Sequence, residues 1–208
     1  MALTKLDIAT AGLRQLNEVG LGALTLQRIA TELGVRAPAL YWHVANKQEL
    51  LDEMATQMMR ECGATLPTAE VAVLEGWEVW LRLLAQRIRE MLLQYRDGAK
   101  VFCGTFLTDP AVPDPNLLRP LLDAGFATAD AGRAWYVVYS FVIGFTIEEQ
   151  AVHPEPGRMD ERYQRLVEER GGGDEASIEQ WAFTGSPDDR FGELLDVIMA
   201  GITASLRP

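Results

Sequence analysis

From Thr128 to Val152 the sequence is apolar almost all the way round a helix, through Trp135-Tyr-Val-Val-Tyr-Ser-Phe-Val-Ile-Gly-Phe. A helix of that kind must be covered on more than one side, which requires a multi-helix body around it. Its strongest apolar run, Ala134 to Ile147, contains Ser140 and Thr146 and is shorter than the ~20 residues that span a bilayer. No segment alternates apolar and polar residues for long with β-branched enrichment, whereas helical spacing recurs along the chain. The expected fold class is therefore all-α.

The same spacing places the other helices. A first helix runs from about Thr4 to Val19, with Leu6, Ala9, Leu13 and Leu16 on one stripe and Gly20 as its stop. A second begins at Thr25, a good N-cap, and ends at Gly34. A short third helix holds Pro38 in its first turn and continues through Leu40-Tyr41-Trp42-His43. Asn46 and Glu49 read as a capping box that opens a long fourth helix, Lys47 to about Gly63. Beyond the loop 64–73, Trp77, Leu81, Leu84, Ile88 and Met91 form the stripe of a fifth, ending near Tyr95. Asp114-Pro115 reads as N-cap and first residue of a helix closed by Gly125. The segment from His153 to Pro187 reads as linker, with one ordered turn around Ile178 and Trp181. A last amphipathic helix covers Asp188 to Leu206.

With 208 residues, the chain suits one domain or a small-plus-large pair. Cys62 and Cys103 lie far apart without a CxxC pair or His-rich tract, so neither a disulfide framework nor a zinc site is indicated. No signal peptide is evident, and a reducing cytoplasm is the expected location, without membrane association. The net charge is −11, from 19 basic against 30 acidic residues, which at first argues against nucleic-acid binding. The first fifty residues depart from that balance: Lys5, Arg14, Arg28, Arg36 and Lys47 face only Asp7, Glu18, Glu32 and Glu49. All of the surplus negative charge follows residue 50.

Thr25 to Val44 is two short helices joined by a Gly-containing turn, the helix-turn-helix arrangement, although a plain helical corner has the same spacing. The residues add specificity. Leu-Thr-Leu-Gln-Arg-Ile-Ala-Thr-Glu-Leu-Gly-Val-Arg-Ala-Pro-Ala-Leu-Tyr-Trp-His-Val-Ala-Asn-Lys-Gln-Glu-Leu-Leu (24–51) resembles the DNA-binding segment of the TetR, or tetracycline-repressor, family. Resemblance resumes at Tyr-Arg-Asp-Gly-Ala-Lys-Val (95–101), Gly104-Thr105 and Ile-Glu-Glu-Gln (147–150), and is weaker over 153–187.

That resemblance implies a helix-turn-helix DNA-binding domain over 1–46 and a larger helical ligand-binding and dimerisation domain over 47–208. It implies that Thr25, Gln27, Arg28, Arg36, Ala37, Pro38, Ala39, Tyr41, His43 and Lys47 face double-stranded operator DNA. Their chemistry agrees: Tyr41 and Lys47 suit phosphate, Gln27, Arg28 and Arg36 suit base edges or phosphate, and the alanine methyls can meet thymine methyls. Trp42 is expected to face the first helix as a core aromatic. Tetracycline-responsive members of the family have polar residues where Ala37 and Ala39 stand, so the operator sequence is not carried over. The resemblance also implies a homodimer joined through a four-helix bundle, and a two-fold operator needs two reading heads.

In those members the drug is a magnesium chelate held by a His and further polar anchors. By position, the metal-binding His becomes Phe102, a second His becomes Gly63, an Asn becomes Leu84 and an aromatic becomes Ile88, while Thr105 and Glu148 remain. The only histidines are His43 and His153, so no hard-cation cage is expected, and no cofactor. A roomy apolar effector pocket is expected, lined by Gly63, Leu84, Ile88, Phe102, Thr105, Phe106, Leu117, Trp135, Tyr139, Glu148 and Trp181; any one of these could equally be plain core.

The function expected is a ligand-responsive transcriptional repressor. The alternative is a small-molecule binding protein of the same fold that reads no operator. No nucleophile–base pair, metal cluster or phosphate loop is apparent, and catalysis is not expected.

Overall fold

The computed structural model describes residues 3–67, 76–155, 158–170, 178–183 and 185–205. Eleven helices and no strand stand among the described residues: α1 (Lys5–Ala23), α2 (Leu26–Glu32), α3 (Ala37–Tyr41), α4 (Lys47–Gly63), α5 (Trp77–Leu93), α6 (Gly98–Phe102), α7 (Arg119–Asp123), α8 (Thr128–Val152), α9 (Glu161–Arg170), α10 (Ile178–Phe183) and α11 (Pro187–Ser205). The all-α expectation holds. None of these helices is long and apolar enough to cross a membrane.

Thr4 caps α1 reciprocally: the Asp7 N–H donates to Thr4 Oγ1 at 3.2 Å and the Thr4 N–H to Asp7 Oδ2 at 2.9 Å. The helix does not simply stop at Gly20. It breaks there, at φ +74°, and resumes for a last short piece, a conformation that glycine adopts without a Cβ penalty. Ile8, Leu13 and Leu16 of α1 are buried with Leu50, Met54 and Met58 of α4 in one core. α4 starts at Asn46, whose Oδ1 accepts the Glu49 N–H at 3.0 Å. The reciprocal half is displaced by one residue, because Glu49 Oε2 accepts from the Ala45 N–H at 2.8 Å.

α5 packs against α4 on one side and α8 on the other. The seam to α8 and α11 is ionic. Arg89, only 3% exposed, donates to both carboxylate oxygens of Glu149 at 2.8 and 2.5 Å and pairs with Asp188 at 2.7 Å. Its guanidinium also lies 4.9 Å from the centre of the Phe191 ring. Burial by itself would lower the pKa of Arg89, but the Glu149 and Asp188 partners raise it above the ordinary value. α8 buries Ala131, Ala134, Val138, Val142, Ile143 and Thr146, while Tyr136 and Val137 remain exposed beside Val197 of α11.

Three expectations need correction. The helix read from Pro115 begins only at Arg119: Asp114 is spent on a turn, its Oδ1 accepting the Asn116 N–H at 2.8 Å. The segment 153–187 is more than linker, since α9 occupies Glu161–Arg170 after Asp160, whose carboxylate accepts the Arg162 N–H at 2.9 Å. Trp42 is not a core aromatic. It is 89% exposed, because α3 ends at Tyr41 and its inward anchor is Leu40. The glycine run 171–173, residues 68–73 of the loop after α4, and Leu206 lie outside the described residues.

Candidate DNA-reading head and effector cavity

α2 and α3 are set by two local devices. Thr25 Oγ1 accepts the Arg28 N–H at 3.3 Å and starts α2. At the other end Gly34, at φ +67°, lets the Val35 N–H reach the Ala30 carbonyl at 2.9 Å and its own N–H the Thr31 carbonyl at 3.2 Å. This is the paired glycine cap that turns a chain sharply out of a helix. Leu26, Ile29, Leu40 and Val44 are buried as the hinge of the corner.

The outward face holds the residues singled out in the sequence. Thr25, Gln27, Arg28, Arg36, Pro38, Tyr41 and Lys47 are exposed, and Ala37, Ala39 and His43 are half-buried beside them. Tyr41 is 54% exposed, and Trp42 adds a second bare aromatic that the sequence pattern places inside. Of the basic residues in this half, Lys5 is taken up by Glu53 at 2.6 Å and Arg14 by Glu32 at 2.7 Å. Among the described residues no carboxylate pairs with Arg28, Arg36 or Lys47; Lys47 Nζ donates to the neutral Leu21 carbonyl at 2.9 Å. A cationic, aromatic face thus stands on an acidic protein, which suits phosphate and groove contact.

A cavity of about 410 Å³ lies between the end of α4, α5, the 111–117 loop and α8. Gly63, Leu84, Ile88, Leu117 and Trp135 line it, as the sequence suggested. Trp80, which no sequence signal marked, also lines it; its Nε1 donates to the Leu117 carbonyl at 2.8 Å and fastens the loop to α5. Cys62 is in the wall too, its thiol pushed up to about 11 by burial, with Arg87 opposing. Arg60, Asp114 and Asn116 give the lining its polar groups. Arg60 is held by Gln57 at 2.7 Å and Asp109 at 2.8 Å.

The remaining expected ligand residues are elsewhere. Phe102, 4% exposed, packs against Tyr139 at 6.4 Å between ring centres, and Tyr139 against Trp135 at 5.9 Å; neither Phe102 nor Tyr139 lines the cavity. Burial raises the Tyr139 hydroxyl above its ordinary pKa. Thr105 is spent locally, its Oγ1 donating to the Phe102 carbonyl at 2.7 Å. Phe106 is 67% exposed and lines neither this cavity nor the next. Glu148 and Trp181 line a separate cavity at the far end of α8. Among the described residues no group of three or more His, Cys, Asp or Glu could hold a metal ion.

Cavity and reading head are joined along α4. Asp52 and Thr56 accept the Phe106 and Thr108 N–H groups at 3.4 and 2.8 Å, and Arg60 pairs with Asp109, so the 106–109 loop is laid along α4 below its reading-head end.

Comparison with known proteins agrees with both halves. The family description "Bacterial regulatory proteins, tetR family" matches residues 8–54, and "Tetracyclin repressor-like, C-terminal domain" matches residues 74–206. The chain is 36% identical to the class A tetracycline repressor protein from transposon 1721 of Escherichia coli, over 96% of this chain and 92% of that one. A possible TetR family transcriptional regulator from Streptomyces coelicolor A3(2) superposes with a TM-score of 0.76 at 31% identity, covering 96% of this chain and 98% of the other. A single-residue variant of TetR from Acinetobacter baumannii AYE, solved in complex with minocycline, does so at 0.70 with 32% identity and 97% of both chains. With matching family descriptions over both the helix-turn-helix corner and the helical body, this chain belongs to the TetR family of transcriptional regulators.

Proposed function

We propose that the protein is a repressor that binds a palindromic operator as a homodimer and is released by a small, largely apolar effector. The observation that carries the operator half is the carboxylate-free set Arg28, Arg36 and Lys47 around exposed Tyr41 and Trp42. Residues 1–46 form the reading head and 47–208 the effector and dimerisation body, with α4 common to both. The exposed apolar strip of Ala129, Gly132, Tyr136 and Val137 on α8 with Val197 and Gly201 on α11 is the surface through which two copies join. Covering it gives α8 the second cover that its composition demands.

The effector occupies the cavity beneath Trp80, Leu84 and Trp135. Burial of its apolar surface contributes roughly 25 cal/mol per Å² removed from water. Arg60 and Asn116 orient it, in place of the Thr105, Tyr139 and Glu148 contacts read from the sequence. Where tetracycline-responsive relatives hold a magnesium chelate, Phe102 offers no ligand atom, so this effector binds without metal. Release follows if the effector favours the spacing of reading heads that the operator does not accept, since equal affinity for both states shifts nothing.

Footprinting on the DNA upstream of the protein's own coding sequence tests the operator reading. Two protected half-sites about one helical turn apart are expected; a single protected half-site, or no protection, would contradict it.

A further inference from the structure

The lining of the effector cavity includes two charged residues, Arg60 on α4 and Asp114 in the loop before α7, and they are not equally available. The Arg60 guanidinium is already neutralised: it donates to Asp109 Oδ2 at 2.8 Å and to Gln57 Oε1 at 2.7 Å. Asp114 has no cationic partner among the described residues. Its Oδ1 accepts from the Asn116 N–H at 2.8 Å and from Asn116 Nδ2 at 3.2 Å, and its Oδ2 is left without a donor. Because that amide turns its NH2 group towards Asp114, the Asn116 carbonyl oxygen also remains as an open acceptor. Both side chains belong to exposed residues, so they stand at the mouth of the cavity. The wall behind them is aromatic and apolar. Trp80, 4% exposed, is fixed by the hydrogen bond from its Nε1 to the Leu117 carbonyl, and Trp135 lines the same space from α8 with Leu84 and Ile88. A tryptophan face attracts a cation through its ring quadrupole. An anionic ligand is disfavoured twice, since Arg60 is already paired and Asp114 repels it, while a neutral ligand leaves the Asp114 charge uncompensated.

Resting on the reading of this cavity as the effector site, we propose that its ligand is a protonated organic amine with a compact apolar body, its N–H groups on Asp114 Oδ2 and Asn116 Oδ1 at the mouth and its hydrocarbon against Trp80, Leu84 and Trp135. Arg60, cationic and held to Asp109, keeps the ligand's charge to the Asp114 side of the mouth.

Three probes that share one ring system separate charge from hydrocarbon: 1-naphthylmethylamine, 1-naphthylmethanol and 1-naphthoate. Each is titrated at pH 7 into protein carrying 15N-labelled tryptophan while the indole signals of Trp80 and Trp135 are recorded. The amine should bind about tenfold more tightly than the alcohol, as one charge-assisted hydrogen bond at an exposed carboxylate implies, and naphthoate should bind most weakly. In Asp114→Asn, which keeps an oxygen for the Asn116 N–H, the affinity for the amine should fall to that for the alcohol, and the affinity for the alcohol should hardly change. Equal affinity of the wild-type protein for amine and alcohol, tighter binding of naphthoate, or a preference for the amine that survives Asp114→Asn would overturn the proposal while leaving the cavity as the effector site. If none of the three probes moved Trp80 or Trp135, the effector-cavity reading would fall together with the proposal.

Discussion

Asp97 Oδ2 accepts a hydrogen bond from the Leu21 N–H at 3.1 Å, across the junction between the reading head and the body. The amide is free to donate because α1 breaks at Gly20, and the Leu21 carbonyl is taken by Lys47 Nζ at 2.9 Å. One peptide segment thus receives the body through its N–H and the start of α4 through its C=O. Asp97 itself sits at φ +56°, a left-handed conformation that Asp, Asn and Gly tolerate.

Asp97→Gly keeps that backbone and removes the carboxylate with both its contacts, to the Leu21 N–H and to Lys100 Nζ at 3.1 Å. We expect a loss of about 1–2 kcal/mol in unfolding free energy, with weakened release by effector, whereas Asp97→Asn stays close to wild type because its amide oxygen still accepts. Denaturant melts and operator titrations with and without effector measure both. The Asp97 carboxyl is subject to burial, which raises its pKa, but Leu21, Lys100 and Arg96 bring it below 3.8. Its stabilisation is therefore complete above that pH and is lost as pH falls through the lower folded value. Equal losses in Asp97→Gly and Asp97→Asn would show that the carboxylate–amide contact is not what matters.

Lys47→Ala should weaken binding to every DNA sequence and reduce the salt slope by about one unit, as loss of one phosphate contact does. Arg36→Ala should change base preference more than salt dependence. Operator titrations over a series of salt concentrations, with a shuffled sequence alongside, separate the two; the reverse ranking would exchange their roles.

Arg89→Met leaves Glu149 buried without its partner and should cost about 3–5 kcal/mol. Joining it to Glu149→Leu should recover much of that loss, because the pair is then replaced by apolar packing. Urea unfolding of the single and double variants checks this. No recovery in the double variant would mean that the pair itself, and not the uncompensated charge, sets the cost.

His153 has a folded pKa below 6.5. The part of the stability that depends on neutral His153 should therefore be complete above pH 6.5 and be lost as pH falls from that value towards the lower folded one, where the unfolded chain takes up the proton first. His153→Leu should remove this part of the pH dependence between melts at pH 7 and pH 5. An unchanged profile would exclude His153 as its source.

The helices with strong periodicity were legible in the sequence almost to the residue, as α5 and α8 demonstrate. α9 was not, because ERYQRLVEER has one narrow stripe, Tyr163 with Leu166 and Val167, and otherwise looks like solvated loop. Asp160 before it was the usable signal. Trp42 misled because aromatic residues on short helices are usually covered; with only five residues in α3, Leu40 alone supplies the inward face. In the effector cavity, Gly63 of α4 and Leu84 and Ile88 of α5, carried over by position, came together with Trp135 of α8, whereas Phe102, carried over in the same way, packs on Tyr139 outside it. The polar residues carried over did not join them, because Thr105 closes a local turn and Glu148 lies further along α8, and neither relationship can be read from residue type.

Release from the operator by an effector that needs no metal is tested most directly by the fluorescence anisotropy of a labelled operator bound to the protein, on addition of tetracycline with magnesium and then EDTA. With Phe102 in place of a metal ligand, the protein should stay on the operator after tetracycline and magnesium are added, and EDTA should change nothing. Tight release by tetracycline and magnesium, reversed by EDTA, would contradict the metal-free effector cavity.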